Sequence, residues 1–197
     1  HRLVKYVKKD SMSTEIVGDF IAPRKFLNFL QTQNLNDNVN LILGDAYIAA
    51  KLERDLIISR LIDERFPDYE SVIPKDNNNK LEVNKSTFLS AVKRVSIFSN
   101  KSTHQVALSL QKDSLKIKTE DPEKSSKGEE SVLAEYEGDP IVIGYNAEYL
   151  KDIISHVQSE VVEIELSAPV SAALFNPGSK KENSESLMLL MPIRLND

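Results

Sequence analysis

The side chains that could do chemistry in this chain are few and widely spaced. Asp152 and His156 stand four residues apart, a spacing that on a helix puts both on one face and would offer two ligands to a metal ion or an acid–base pair. No third ligand is indicated near them, and a surface ion pair accounts for the spacing without one. Glu163 and Glu165 alternate along a β-like run, so both carboxylates point to one side, as a general acid and base would. An exposed sheet face explains them equally, and no apolar pocket that would raise a carboxyl pKa is evident. With three histidines and no cysteine, nucleophilic triads are nearly excluded, and no serine sits in a G-x-S-x-G elbow. The six glycines, at positions 18, 44, 128, 138, 144 and 178, form neither a P-loop nor a dinucleotide fingerprint. Asn84-Lys85-Ser86 and Asn100-Lys101-Ser102 match the glycosylation triplet, which has no meaning in a cytosolic protein. The reading is therefore of no catalytic residue, no metal and no cofactor.

Composition narrows the class further. The 197 residues carry 30 acidic and 25 basic side chains, a net charge of −5, and lack both cysteine and tryptophan. Disulfides and thiolate zinc sites are excluded, and the apolar stretches fall far short of the ~18 residues of a membrane span. The expectation is a cytoplasmic protein with no membrane partner. At first sight the acidic balance also argues against nucleic acid, because phosphate binding is normally announced by basic charge. The chain opens at His1 without a methionine or a signal-like segment, and Leu3, Val4, Tyr6 and Val7 read as a strand whose partners are expected upstream.

The elements that must position these residues repeat. Three segments combine a capping or first-turn signal with apolar residues at helical spacing: Ala22-Pro23 before Phe26, Phe29 and Leu30; Asn84 before Phe88, Ala91, Val92 and Val95; Asn146 before Leu150, Ile153, Ile154 and Val157. Their starts are separated by 84 − 22 = 62 and 146 − 84 = 62 positions. Each helix is followed by β-branched runs, at 39–43 and 47–52, 106–110 and 115–119, and 161–166 and 170–175. The fold class is α+β, with units of one helix and about four mostly antiparallel strands and the helices on one face. Lys75 to Lys80 is polar and turn-prone after Pro74 and reads as a linker, dividing the chain into 1–74 and 75–197. Glu120 to Glu130 reads as a long hairpin connection. The helices carry local basic residues, Arg24 and Lys25, then Lys85, Lys93 and Arg94, then Lys151 with His156, which suit a solvated face or a surface for phosphates.

Several strings fit one family. His1-Arg2-Leu3, Pro23-Arg24-Lys25, Arg65-Phe66-Pro67-Asp68-Tyr69, Ser99-Asn100, Gly144-Tyr145-Asn146 with Tyr149, and Met191-Pro192-Ile193-Arg194-Leu195 occur in its order and near its spacing. The chain resembles the bacterial DNA polymerase III beta subunit, the sliding clamp of replication, over its whole length. The resemblance implies a DNA-clamp fold, with 1–74 as the second half of the middle domain and 75–197 as the complete C-terminal domain. Two subunits of this family close head to tail into a ring around duplex DNA, with the helices on the channel side.

It implies functional positions as well. A groove for short peptide motifs of the polymerase catalytic subunit, the clamp loader, repair polymerases and ligase would be lined by His1, Arg2, Leu3, Pro67, Val72, Asn146, Tyr149, Val170, Leu189, Leu190, Met191, Pro192, Ile193 and Arg194. Thr103 stands where a bulkier apolar residue can occur, and Asn196-Asp197 add a negative charge beyond the usual final Leu. Arg24, Lys25 and Arg94 would face DNA in the channel, without sequence preference. Ile97 and Phe98, with Glu129 and Glu130, would meet the first domain of the neighbouring subunit in the homodimer; that domain lies outside these residues, so they alone are not expected to close a ring. The net charge then ceases to argue against DNA, because only the inner helices need be positive. The resemblance thus implies a non-catalytic, cytoplasmic, nucleoid-associated processivity factor; the alternative from the residues is a small α+β hydrolase using Asp152 and His156.

Overall fold

A computed structural model describes residues 1–8, 18–33, 39–179 and 183–195; Asn196-Asp197 lie outside them. The chain divides into two compact units, residues 12–68 and residues 1–11 with 69–197. These limits differ from the linker position read in the sequence. The N-terminal strand β1 (Arg2–Lys8) pairs antiparallel with β13 (Ser184–Leu190), from Arg2 opposite Leu190 to Lys8 opposite Ser184, and is the edge strand of its sheet.

The smaller unit contains α1 (Arg24–Thr32) and an antiparallel sheet of β2 (Asn40–Leu43), β3 (Tyr47–Lys51) and β4 (Leu56–Arg60), in that order. Pro23 caps the helix, where its missing N–H costs nothing. The core is small, with Phe26, Ile48 and Ala50 buried. Phe29, expected on the inner helix face, is half-exposed, as are Leu41, Ile42, Leu56 and Ile58 of the sheet.

Among the described residues the larger unit holds two antiparallel sheets and two α-helices. One sheet has the order β1-β13-β12-β11-β5-β9, with β5 (Asn79–Asn84), β9 (Ala134–Glu137), β11 (Val161–Leu166) and β12 (Ala173–Pro177). The other has the order β10-β6-β7-β8, from β6 (Gln105–Gln111), β7 (Ser114–Asp121), β8 (Ser126–Val132) and β10 (Ile141–Asn146). Period-two alternation turns Leu81, Val83, Ile164 and Phe175 of the first sheet and Val106, Leu108, Ile117 and Tyr145 of the second into one core. The same core takes Phe88, Val92 and Val95 of α2 (Lys85–Ser96) and Leu150, Ile153 and Ile154 of α3 (Ala147–His156).

Both helices start as their sequences dictate. Asn84 Oδ1 accepts from the Thr87 amide, and Asn146 Oδ1 accepts from the amides of Glu148 and Tyr149. The caps keep the 62-residue spacing (146 − 84), while Pro23 shortens the first interval to 61 (84 − 23). The Asn of each glycosylation triplet is used locally: Asn84 caps α2, and Asn100 Oδ1 closes a turn by accepting from the Ser102 and Thr103 N–H groups. Lys85 does not join a phosphate-facing stripe, because its ammonium donates to the carbonyls of Ser155 at 2.9 Å and Val157 at 2.6 Å, closing the C-terminal end of α3.

Three other sequence expectations shift. Residues 120–130 form no long connection: β7 runs to Asp121, a single 3₁₀ turn covers Pro122–Lys124, and β8 resumes at Ser126. The Lys75–Lys80 segment is docked, since Asn77 Nδ2 donates to the carbonyls of Glu165 and Ala172 at 3.0 and 3.1 Å, and β5 begins at Asn79. Val170 belongs to no strand, because β12 begins only at Ala173 and a turn closed by the Ser171 amide on Ala168 O precedes it.

Tyr145 is 1% exposed, its ring meets Phe175 edge-on at 6.4 Å, and its hydroxyl has no hydrogen-bond partner among the described residues. Burial pushes this phenol well above the usual tyrosine range. A raised folded pKa means a stability contribution present below pH ~10 and lost as pH rises above it. Tyr145→Phe deletes a buried, unpaired hydroxyl and keeps the ring. Urea titration is expected to find it about 1 kcal/mol more stable than the parent, with weaker loss at alkaline pH; a destabilised variant would refute this account of the hydroxyl.

Candidate functional site

Antiparallel pairing of β1 with β13 puts Leu3 opposite Leu189 and Arg2 opposite Leu190. Because neighbours on a strand face opposite ways, the two halves of the expected groove residues separate across the sheet. On the outer face Leu189 and Leu174 are buried with Ala172, and Leu3, Ile73 and Leu187 pack on them. This is an apolar cluster distinct from the main core. On the helix side the Arg2 guanidinium lies 4.2 Å above the Tyr149 ring and pairs with the Asp152 carboxylate, and His1 stacks on Tyr149 at 6.3 Å between ring centres. Met191 joins them through its amide, which donates to His1 O at 3.0 Å.

The same alternation removes Leu190 from the surface: it is 0% exposed and belongs to the main core. Asn146 is also not a free rim group, since both ends of its amide are used, Oδ1 in the helix cap and Nδ2 on Thr103 O at 3.1 Å. Val72 ends a 3₁₀ turn over Glu70–Val72 and is half-exposed. Val170 is 64% exposed on its turn, outside the apolar cluster. Pro67 belongs to the smaller unit.

Two features hold the C-terminal residues and the start of α3. Gly144 on β10 bridges Ile193, whose amide donates to Gly144 O at 2.9 Å; a Cβ at Gly144 would lie 2.7 Å from Ile193 O and from Leu195 Cδ2. Only glycine lets the Pro192-Ile193-Arg194 segment lie this close. The second feature is the loop 97–104. Asn100 Nδ2 donates to buried Asp121 Oδ1 at 3.3 Å, the His104 amide donates to Asn100 O, and His104 O accepts from the Ala147 amide at 2.7 Å. His104, at φ 49°, makes the turn that brings this carbonyl round.

Asp152 and His156 do share a helix face, with His156 Nδ1 3.5 Å from Asp152 Oδ1. The carboxylate is committed to Arg2, 150 positions away. Among the described residues no three His, Cys, Asp or Glu side chains converge as metal ligands. Glu163 binds Lys80 Nζ at 2.9 Å, and Glu165 accepts from Asn176, so the carboxylate pair is part of a polar sheet face. Lys5 and Glu70, unsuspected in the sequence, meet at 3.1 Å, which raises the lysine pKa and lowers that of the glutamate.

Arg24 and Lys25 open α1 and are exposed. Arg94 differs: its guanidinium grips Glu130 at two points, Nε to Oε2 at 3.0 Å and Nη2 to Oε1 at 2.5 Å. Glu129 is similarly taken by Lys116 and Lys118, at 3.1 and 3.6 Å. Two positions assigned to different surfaces, Arg94 and Glu130, thus form one pair. Ile97 is 75% exposed, and the Phe98 ring lies over Gly128, where a Cβ would meet its Cδ2 at 2.8 Å.

Two sheets and two capped helices, built from two repeats of one helix with its strands and bearing an apolar cluster at a strand edge, have the architecture of the DNA-clamp fold. Residues 70–194 match the family described as DNA polymerase III beta subunit, C-terminal domain, and the chain belongs to that family. It is 32% identical to the beta sliding clamp of Pseudomonas putida, over 99% of this chain and 53% of that protein. A crystal structure of the DNA polymerase sliding clamp from Pseudomonas aeruginosa superposes with a TM-score of 0.89 at 30% identity, covering 99% of this chain and 53% of the other. That of the Bartonella birtlesii clamp bound to griselimycin gives 0.81 at 35% identity, covering 89% and 47%. The chain spans about half the length of the relatives it matches.

The Arg94 guanidinium holds the Glu130 carboxyl below the usual carboxylate range. A lowered folded pKa gives stability that is present above the unfolded value of ~4.3 and lost as pH falls through the folded one. A carboxyl-detected NMR titration is expected to move Glu130 up into the ordinary glutamate range in Arg94→Ala; an unchanged midpoint would mean the pair does not form in solution.

Proposed function

We propose that the chain is part of a non-catalytic sliding clamp that encircles duplex DNA, confers processivity on the replicative polymerase and docks short peptide motifs of the polymerase, clamp loader and repair proteins. Its setting is the bacterial cytoplasm, at the nucleoid. The observation that carries this, in a member of the clamp family, is the edge strand β1, with the Leu3–Leu189 cluster on one face and the His1–Arg2–Tyr149 stack on the other. An apolar floor with a flexible methionine and an aromatic, cationic rim suits a Leu or Phe anchor on a peptide. The solved relative bound to griselimycin supports a ligand site in such clamps.

In this reading residues 1–74 are the second half of a middle domain and 75–197 the C-terminal domain. The half-exposed Ile42, Leu56 and Ile58 support it, because alternation puts them on one face of the smaller sheet and an apolar face of this kind is a surface made to be covered. Within the groove, Leu3, Val72, Leu189 and Met191 offer apolar contact, with His1, Arg2 and Tyr149 at the rim and Val170 and Arg194 as further contacts; Pro67 is the position assigned to it from the smaller unit. Asn146, Pro192 and Ile193 act by holding backbone, and Leu190 contributes from the core. Ile97 and Phe98 meet the neighbouring subunit of a homodimer, with Glu129 and Glu130 as acidic positions that share their charge with Lys116, Lys118 and Arg94 of this chain.

Calorimetric titration with a short Leu/Phe-containing peptide is expected to give saturable binding that falls about tenfold or more in Tyr149→Ala and Met191→Ala. Unaltered affinity in both variants would sink the groove assignment. For DNA, Arg24 and Lys25 act on phosphates, while Arg94 contributes less because Glu130 already neutralises it. Retention of the full-length clamp on DNA is expected to lose salt sensitivity in Arg24→Ala and Lys25→Ala, and much less in Arg94→Ala. Equal effects of all three would overturn the ranking.

A further inference from the structure

A cavity of about 440 Å³ lies on the outer face of the six-stranded sheet, walled in part by Lys5, Ile73, Glu165, Glu185 and Leu187. It adjoins the apolar cluster, since Ile73 and Leu187 belong to both. Register makes the continuity explicit. Leu3, Leu189, Leu174 and Glu165 are successive cross-strand neighbours in one row. Two residues further along the strands, Lys5 lies opposite Leu187 and Glu163 opposite Asn176. Such rows are about 7 Å apart, the rise of two residues of an extended chain.

The charges within the cavity are unevenly satisfied. Lys5 is drawn to Glu70, and Glu163 is bound by Lys80 from the neighbouring strand β5. Glu165 is half-buried, and although Lys80 stands opposite it on β5, that ammonium is bound by Glu82 and Glu163; among the described residues the Glu165 carboxylate is met by the Asn176 amide alone, at 3.4 Å. A partly desolvated carboxylate whose single bond is a long one to a neutral amide is short of a positive partner. The apolar walls lead straight to it from the Leu3–Leu189 floor.

We infer that this cavity extends the peptide groove and receives a basic side chain, Lys or Arg, from the residues flanking the apolar anchor of a docking peptide, with Glu165 as its counter-ion. The inference rests on the groove reading above and adds a charge preference to it. Partners whose motif carries a basic flank bind more tightly than those with a neutral or acidic one, and the excess is lost at high salt.

The test uses two sets of peptides with the same Leu/Phe anchor, carrying Arg or Gln at each of the three positions on either side, titrated against the parent chain and Glu165→Gln. At one of these positions Arg is expected to improve affinity for the parent about five- to tenfold over Gln. That gain disappears in Glu165→Gln, while the Gln peptides bind both proteins equally. Loss of the gain on either side of this cycle, with no further loss when both changes are combined, identifies the pair as coupled. Equal binding of the Arg peptides to parent and Glu165→Gln would overturn the extension and leave the groove standing. Failure of every peptide, including those with Gln, to bind the parent would overturn the groove and its extension together.

Discussion

The antiparallel pairing of β1 with β13 is the constraint on which the candidate site depends. Seven residues from the start of the chain are hydrogen-bonded beside seven from near its end, so the ladder fixes which residues share a face. Strand alternation then does the sorting. Leu3 and Leu189 go outward into one apolar cluster, Leu190 goes inward to the main core, and Arg2 reaches the helix side, where Tyr149 and Asp152 wait. A slip of one residue would exchange these faces, burying Arg2 and emptying the cluster. The site is precise because its geometry is inherited from backbone bonds and not from the side chains that line it.

Much of this architecture is legible in the amino-acid order, and for identifiable reasons. Asn84 and Asn146 announce helix starts because a short side-chain acceptor satisfies the first amides, and the structure uses both that way. Alternation along 106–110 and 161–166 gives strands with one buried face, as found. What the order conceals are partnerships between residues distant in sequence. Nothing near Lys85 reveals that it closes α3, nothing near Arg94 names Glu130, and Asp152 resembles a metal ligand until Arg2 arrives from the other end of the chain. The family motifs give the expected groove residues as one set; only the sheet shows that Leu3 and Leu189, Arg2, and Leu190 go to different surroundings.

Charge follows a similar logic. An acidic chain can serve a polyanion if its positive groups are left open where they are needed. Here several basic residues are consumed internally: Lys85 by helix carbonyls, Arg94 by Glu130, Lys80 by Glu82 and Glu163, and Lys116 by Glu129. Arg24 and Lys25 stay exposed at the start of α1. The distribution, more than the total, decides what the surface attracts.

Gly144 shows how little material separates a formed site from a lost one. The segment after β13 has no ladder of its own and leans on β10 through one bridge, at a spot where even a methyl group would collide with Ile193 O. That spot works as a notch cut to the depth of a bare backbone. The chain end can seat there without any side chain being spent on the joint, which leaves Arg194 exposed. The cost is intolerance: of the twenty residue types, one fits, so the shape of the chain's final segment is written in the absence of a side chain four dozen residues before it.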